Sequence, residues 1–180
     1  MRLSGEVKKI SLAGLFVAIG IILPVVLGSV APEVGSVISP MHIPVLLCGY
    51  ICGKKYGAVV GVSLPFIKIM VYGVPPLHVV IPMAIELAGY GFFAGYFNEK
   101  MGDSIKGIYK SLTCSMVIGR ILYGVAKYIV YSYGLFGFAG GKYTLLMFLM
   151  SGAVLGGIPA IISHLIVIPC ILQAVKKRKG

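Results

Sequence analysis

The chain is short of charge, and shorter still of acids. Of its 180 residues 12% are charged and 58% are hydrophobic, against roughly 25% charged in an ordinary soluble protein. Five acids stand against sixteen lysines and arginines, a net charge of +11. Such an excess raises nucleic acid as a partner, but the placement of the cations argues against it. Arg2, Lys8 and Lys9 precede the first apolar run. Lys54 and Lys55 occupy one break, and Lys100, Lys106 and Lys110 another. Lys176, Lys177, Arg178 and Lys179 close the chain. These cations fall on alternate connections, which is the positive-inside pattern of a multi-pass membrane protein; a nucleic-acid face would be a basic stripe on one surface. The expectation is a single integral membrane domain over residues 1–180, with both termini cytoplasmic and membrane lipid around it.

Other absences remove whole classes of function. The stretch GGKYT comes near a nucleotide-binding loop, but Phe136 stands where its first glycine belongs and Tyr143 where Ser or Thr should follow the lysine. An ATP-driven process would therefore need another subunit. No HExxH motif occurs and the three histidines lie far apart, so no metal is expected. Ser11, Ser63, Ser151 and Ser163 form no recognisable triad, and no cofactor or catalytic role is expected. The four cysteines make no disulfide framework: Cys48 and Cys52 are one helical turn apart, and Cys114 and Cys170 fall near cytoplasmic helix ends, where thiols stay reduced. No internal repeat is evident, which counts against inverted-repeat transporters.

What the chain does have is apolar length. Six apolar segments run over roughly 8–28, 40–53, 55–72, 79–98, 108–133 and 144–175, and they predict six transmembrane helices. The first, Ile10 to Leu27, is longer than a signal-peptide core and lacks a clean cleavage site, so it reads as a retained helix. The second is short. Ser39 and Pro40 read as its cap and first helical residue; from there to Gly53 is about 21 Å at 1.5 Å per residue, less than the ~30 Å hydrocarbon core. The preceding GSVAPEVGSVIS must then reach down into the membrane, where irregular backbone survives only in protein or beside a wet cavity. A cavity opening outward is expected. Two outer connections, GVPPLH (Gly73 to His78) and YGLFGFAGGK (Tyr133 to Lys142), read either as lids or as plain connectors. Glycines at 49, 53, 57 and 61, at 91 and 95, and at 152 and 156 have the four-residue spacing that lets membrane helices approach closely.

Charges within membrane helices cost several kcal/mol and usually mark function. On the fifth segment Arg120, Tyr123, Lys127 and Tyr131 fall on one helical face, a ladder of cations and phenols suited to a cavity holding a small polar or anionic ligand. Arg120 could hold a carboxylate bidentately. Glu86, with Tyr90 one turn away, is the acidic candidate, and the plainer alternative is a buried Glu86–Arg120 pair that only joins two helices. Lys68 either lines the cavity or snorkels to the surface. His42 and His78 lie near the outer mouth, and His164, deep on the cytoplasmic side, reads as structural.

Read in order, PMHIPVLLCGYICGKKYGAVVG, a proline-rich turn, MAIELAGYGFFAG, GRILYG and GGIPAIISHLIVIP resemble consecutive blocks of S components, the substrate-capturing subunits of energy-coupling factor (ECF) vitamin transporters, in the branch with pantothenate- and folate-type members. The chain departs from that pattern near Gly156 and at His164, where relatives often carry asparagine and glutamine. The resemblance implies high-affinity capture of a small water-soluble vitamin at the cell membrane, then delivery through a transmembrane coupling subunit and two cytoplasmic ATPases. It also implies a partner-binding role for Gly14 and Ala18, which match a small-residue motif on the first helix. Pantothenate, with one carboxylate and a short polar chain, suits Arg120 and Lys127 first. The alternative is a stand-alone proton-coupled secondary transporter working through Glu86.

Overall fold

The computed structural model describes residues 5–30, 39–102, 104–135, 144–148 and 158–177. The helices are α1 (Gly5–Val30), α2 (His42–Cys52), α3 (Lys54–Tyr72), α4 (Leu77–Met101), α5 (Ile105–Ser132), α6 (Leu145–Phe148) and α7 (Ile158–Lys177), with no strand among the described residues. Four of them, α1, α3, α4 and α5, are long and apolar enough to cross a membrane, while α2 and the Ala160–Val175 part of α7 are shorter apolar helices. The sixth apolar segment of the sequence contains two described helices, α6 and α7.

The short α2 lies inside the bundle. Nine of its eleven residues are buried, as expected of a helix that is apolar all round and enclosed by neighbours. It packs on α1, α3, α4 and α7, and α4 in turn packs on α3 and α5. Glycine makes this density possible. A Cβ at Gly91 on α4 would collide with the Gly57 carbonyl on α3, and one at Gly49 on α2 with the Gly91 carbonyl. Gly61 meets the backbone at Leu87, and Gly95 meets Lys54. Of the six glycines at 49, 53, 57, 61, 91 and 95, all but Gly53 are thereby explained as close-approach sites, Gly49, Gly57 and Gly61 on α2 and α3 and Gly91 and Gly95 on α4. Gly53 is different: its φ of 98° lets the chain leave α2 and start α3 at once. Glycines 152 and 156 lie outside the described residues.

The start of α2 corrects the sequence reading. Ser39 is not its cap. It sits in the left-handed region at φ 48°, and its carbonyl accepts from the His42 backbone N–H at 3.1 Å and contacts His42 Nδ1 at 2.9 Å. The pair Ser39–Pro40 is a tight turn whose composition imitates a helix start, and α2 begins only at His42. At the other end of the bundle, Ser104 does cap α5, accepting from the Gly107 N–H at 3.0 Å.

The connections of one end carry the cations. There Lys54 pairs with Glu99 at 2.7 Å, Lys9 with Glu6 at 3.5 Å, and the Tyr56 hydroxyl donates to Glu6. Cys48 and Cys52 are buried in α2, Cys114 is half-buried and Cys170 exposed, all as free thiols.

Candidate functional site

Glu86 lies in the middle of α4, 3% exposed. Three groups converge on its Oε1. Tyr90, one turn along the same helix, donates its hydroxyl at 2.9 Å. Arg120 on α5 brings Nη1 to 3.2 Å. His42, the first residue of α2, brings Nε2 to 3.8 Å. The opposite ring nitrogen of His42 faces the Ser39 carbonyl, so the turn before α2 sets the angle of the imidazole.

Around this centre are polar atoms without partners. Arg120 Nε, His42 Nε2 and both ring nitrogens of His164 are buried with no hydrogen bond. Each such atom costs about 1–3 kcal/mol when left unsatisfied, and native interiors keep very few of them. Four such atoms lie within this one cluster.

The ladder expected on α5 is present. From Arg120 it continues to Lys127, whose Nζ stands 5.4 Å from the centre of the Tyr123 ring, 5.5 Å from Tyr131 and 5.6 Å from Phe148. Three π faces hold the ammonium without neutralising it. Tyr131 also meets Phe148, with ring centres 5.4 Å apart, and His78 from the first turn of α4, at 5.7 Å. Phe148 is not legible as a site residue in the sequence: it sits in an apolar run with nothing to distinguish it. Residues 136–138 lie outside the described residues.

Lys68 on α3 is half-buried. It lines a cleft of about 320 Å³ together with Pro24 and Gly28 of α1, Ser39, His42 and Met83. His42 therefore borders this cleft on one side and the Glu86 carboxylate on the other. His164 corrects its sequence reading. Expected deep on the cytoplasmic side and apart from the others, it lies with its ring centre 5.7 Å from that of His42 and is 1% exposed. The shortness of α2 is the reason: its first residue starts well inside the bundle, beside the first half of α7. The structure thus gathers Glu86, Tyr90, Arg120, His42 and His164 into one cluster. Tyr123, Lys127, Tyr131 and His78 continue it along α5, and Lys68 lies on the far side of His42.

Gly14 and Ala18 take no part in this. Both are exposed on α1, and nothing approaches within 4 Å of a Cβ placed at Gly14. The described residues contain no group of His, Cys, Asp or Glu able to hold a metal ion.

A family model described as ECF transporter, substrate-specific component, matches residues 8–172. The chain belongs to that family. No curated protein and no solved structure matches it. As an ECF substrate-specific component, it is a multi-pass membrane protein of a transport system, and its family binds a small-molecule substrate and associates with the ECF module rather than performing catalysis. Nearly the whole described bundle, including every residue of the Glu86 cluster, falls within the matched region.

Proposed function

We propose that this substrate-specific component captures a small, water-soluble, carboxylate-bearing micronutrient in the half of the bundle that holds Glu86, Arg120 and Lys127. Pantothenate is the first candidate, within the pantothenate- and folate-type branch. The single observation that carries this reading is the cluster of unpartnered buried polar atoms around the Glu86–Arg120 pair. Helices α2, α4 and α5 hold these groups in place before any ligand arrives, so little ordering is needed on binding. Arg120 presents guanidinium N–H groups, Lys127 a charge without a counter-charge, and Tyr123, Tyr131 and His78 hydrogen-bonding edges.

The same proposal gives the orientation and the partners. The cation-bearing connections face the cytoplasm, as the positive-inside rule requires, and the short α2 and α7 complete six membrane-crossing segments. The cavity then opens outward, and the micronutrient passes inward after the chain joins a coupling subunit and two ATPases. The flat face of α1 at Gly14 and Ala18, which no other described element covers, is the docking surface for the coupling subunit.

Calorimetric titration of pantothenate into the purified chain, beside its Arg120→Ala variant, tests the reading. Saturable one-to-one binding to the parent and loss in the variant are expected. A different vitamin saturating the chain would replace the substrate and leave capture standing. Unchanged affinity in a folded Arg120→Ala variant would remove Arg120 from the site.

A further inference from the structure

The capture reading leaves a charge imbalance that the sequence and the structure together define. Beyond the cations of the basic connections the chain has four more, Lys68, Arg120, Lys127 and Lys142, against the two acids Glu33 and Glu86; the remaining acids, Glu6, Glu99 and Asp103, belong to the basic end. Among the described residues the surplus comes down to two side chains. Arg120 is matched by Glu86 at 3.2 Å. Lys127 has aromatic rings around it but no acid. Among the described residues Lys68 has no ion-pair partner either, and it lines the cleft of about 320 Å³ beside His42.

These two lysines lie at opposite ends of one polar path. It runs from Lys68 on α3 to His42 on α2, then to Glu86 on α4 and Arg120 on α5. Lys127 follows two turns further along α5, roughly 10 Å of helix rise away. The middle of the path is electrically balanced and rich in hydrogen-bonding groups, including the unpartnered Nε of Arg120. Its ends are cationic. An uncompensated charge in a membrane interior is expensive, and a ligand that brings its own opposite charge removes that cost at the moment of binding.

We propose that the preferred ligand is a two-ended dianion. One negative group, carboxylate or phosphate, meets Lys127; the second meets Lys68; the polar groups between them face the Glu86–Arg120 pair. This rests on the capture reading of the same site but sharpens it, since pantothenate carries only one of the two charges. The class is a dicarboxylate, or a phosphate monoester that also bears a carboxylate.

A matched pair of ligands with one skeleton tests this: pantothenate and its phosphate monoester, each titrated into the purified full-length chain in detergent, with Lys68→Gln and Lys127→Gln alongside. The molecule that co-purifies with the chain is identified in parallel. The ester is expected to bind at least tenfold more tightly than pantothenate, and the preference is expected to vanish in either lysine variant. Equal or weaker binding of the ester overturns the dianion while leaving capture of a monoanion intact. If neither binds, the co-purified molecule decides: two negative charges support the dianion and remove only pantothenate, whereas one or none overturns it. No binding and no co-purified molecule overturns the dianion and the capture reading together.

Discussion

Arg120 of α5 reaches the Glu86 carboxylate of α4, Nη1 to Oε1 at 3.2 Å, with the two side chains 13% and 4% exposed. The pair ties together two of the longest helices and keeps a guanidinium at mid-bundle with its Nε still unpartnered.

Removing one member should be costly and removing both much less so. Arg120→Ala leaves a buried carboxylate unpaired and is expected to destabilise the chain by about 3–5 kcal/mol, while the double change Glu86→Leu with Arg120→Met should recover most of that. Thermal unfolding in detergent reads the stability and titration reads the binding. The double variant is expected to fold and to bind no ligand; retained binding would assign the pair to structure alone.

Lys127 should separate binding from stability. Its aromatic contacts are worth about 0.5–2 kcal/mol, so Lys127→Gln is expected to melt within a few degrees of the parent. Affinity for an anionic ligand should fall tenfold or more, and Lys127→Arg should retain most of it. Equal affinity in Lys127→Gln would take the upper part of the α5 ladder out of the site.

The helix contacts at glycine should tolerate no side chain. Gly91→Ala drives a methyl into the Gly57 carbonyl, a backbone atom that cannot rotate away. Overpacking of this kind costs about 1–3 kcal/mol or more. Loss of the monodisperse species on size exclusion, or a fall of many degrees in Tm, is the expected readout. A stable Gly91→Ala chain would mean that α3 and α4 do not approach as described.

Gly14 should behave in the opposite way. Nothing in the chain lies near it, so Gly14→Leu is expected to fold and bind ligand like the parent. Co-expressed with a coupling subunit and its ATPases, the variant should fail to co-purify with them. Normal assembly would place the docking surface elsewhere.

Much of the site could be read from spacing because helices are periodic. The 3.6-residue repeat puts Arg120, Tyr123, Lys127 and Tyr131 on one face, and Glu86 one turn from Tyr90, whatever the rest of the chain does. The glycine spacing likewise marked the α2–α3–α4 contact. Periodicity does not say which helices are neighbours or at what depth. His164 meets His42 only because α2 begins inside the bundle, and no local signal in either segment carries that information. Ser39 and Pro40 misled for a local reason. Serine followed by proline suits both a helix start and a tight turn, and the choice was made by the bond pattern of His42. Phe148 closes the rings around Lys127 from a separate short helix, which only the tertiary fold brings there.

Native mass spectrometry of the chain purified in mild detergent, with the released small molecules identified, tests the capture of an anionic micronutrient most directly. The expected result is a stoichiometric, vitamin-sized adduct bearing a carboxylate or phosphate, lost in Arg120→Ala. No adduct, followed by no thermal shift across a panel of water-soluble vitamins and their phosphate esters, would contradict it.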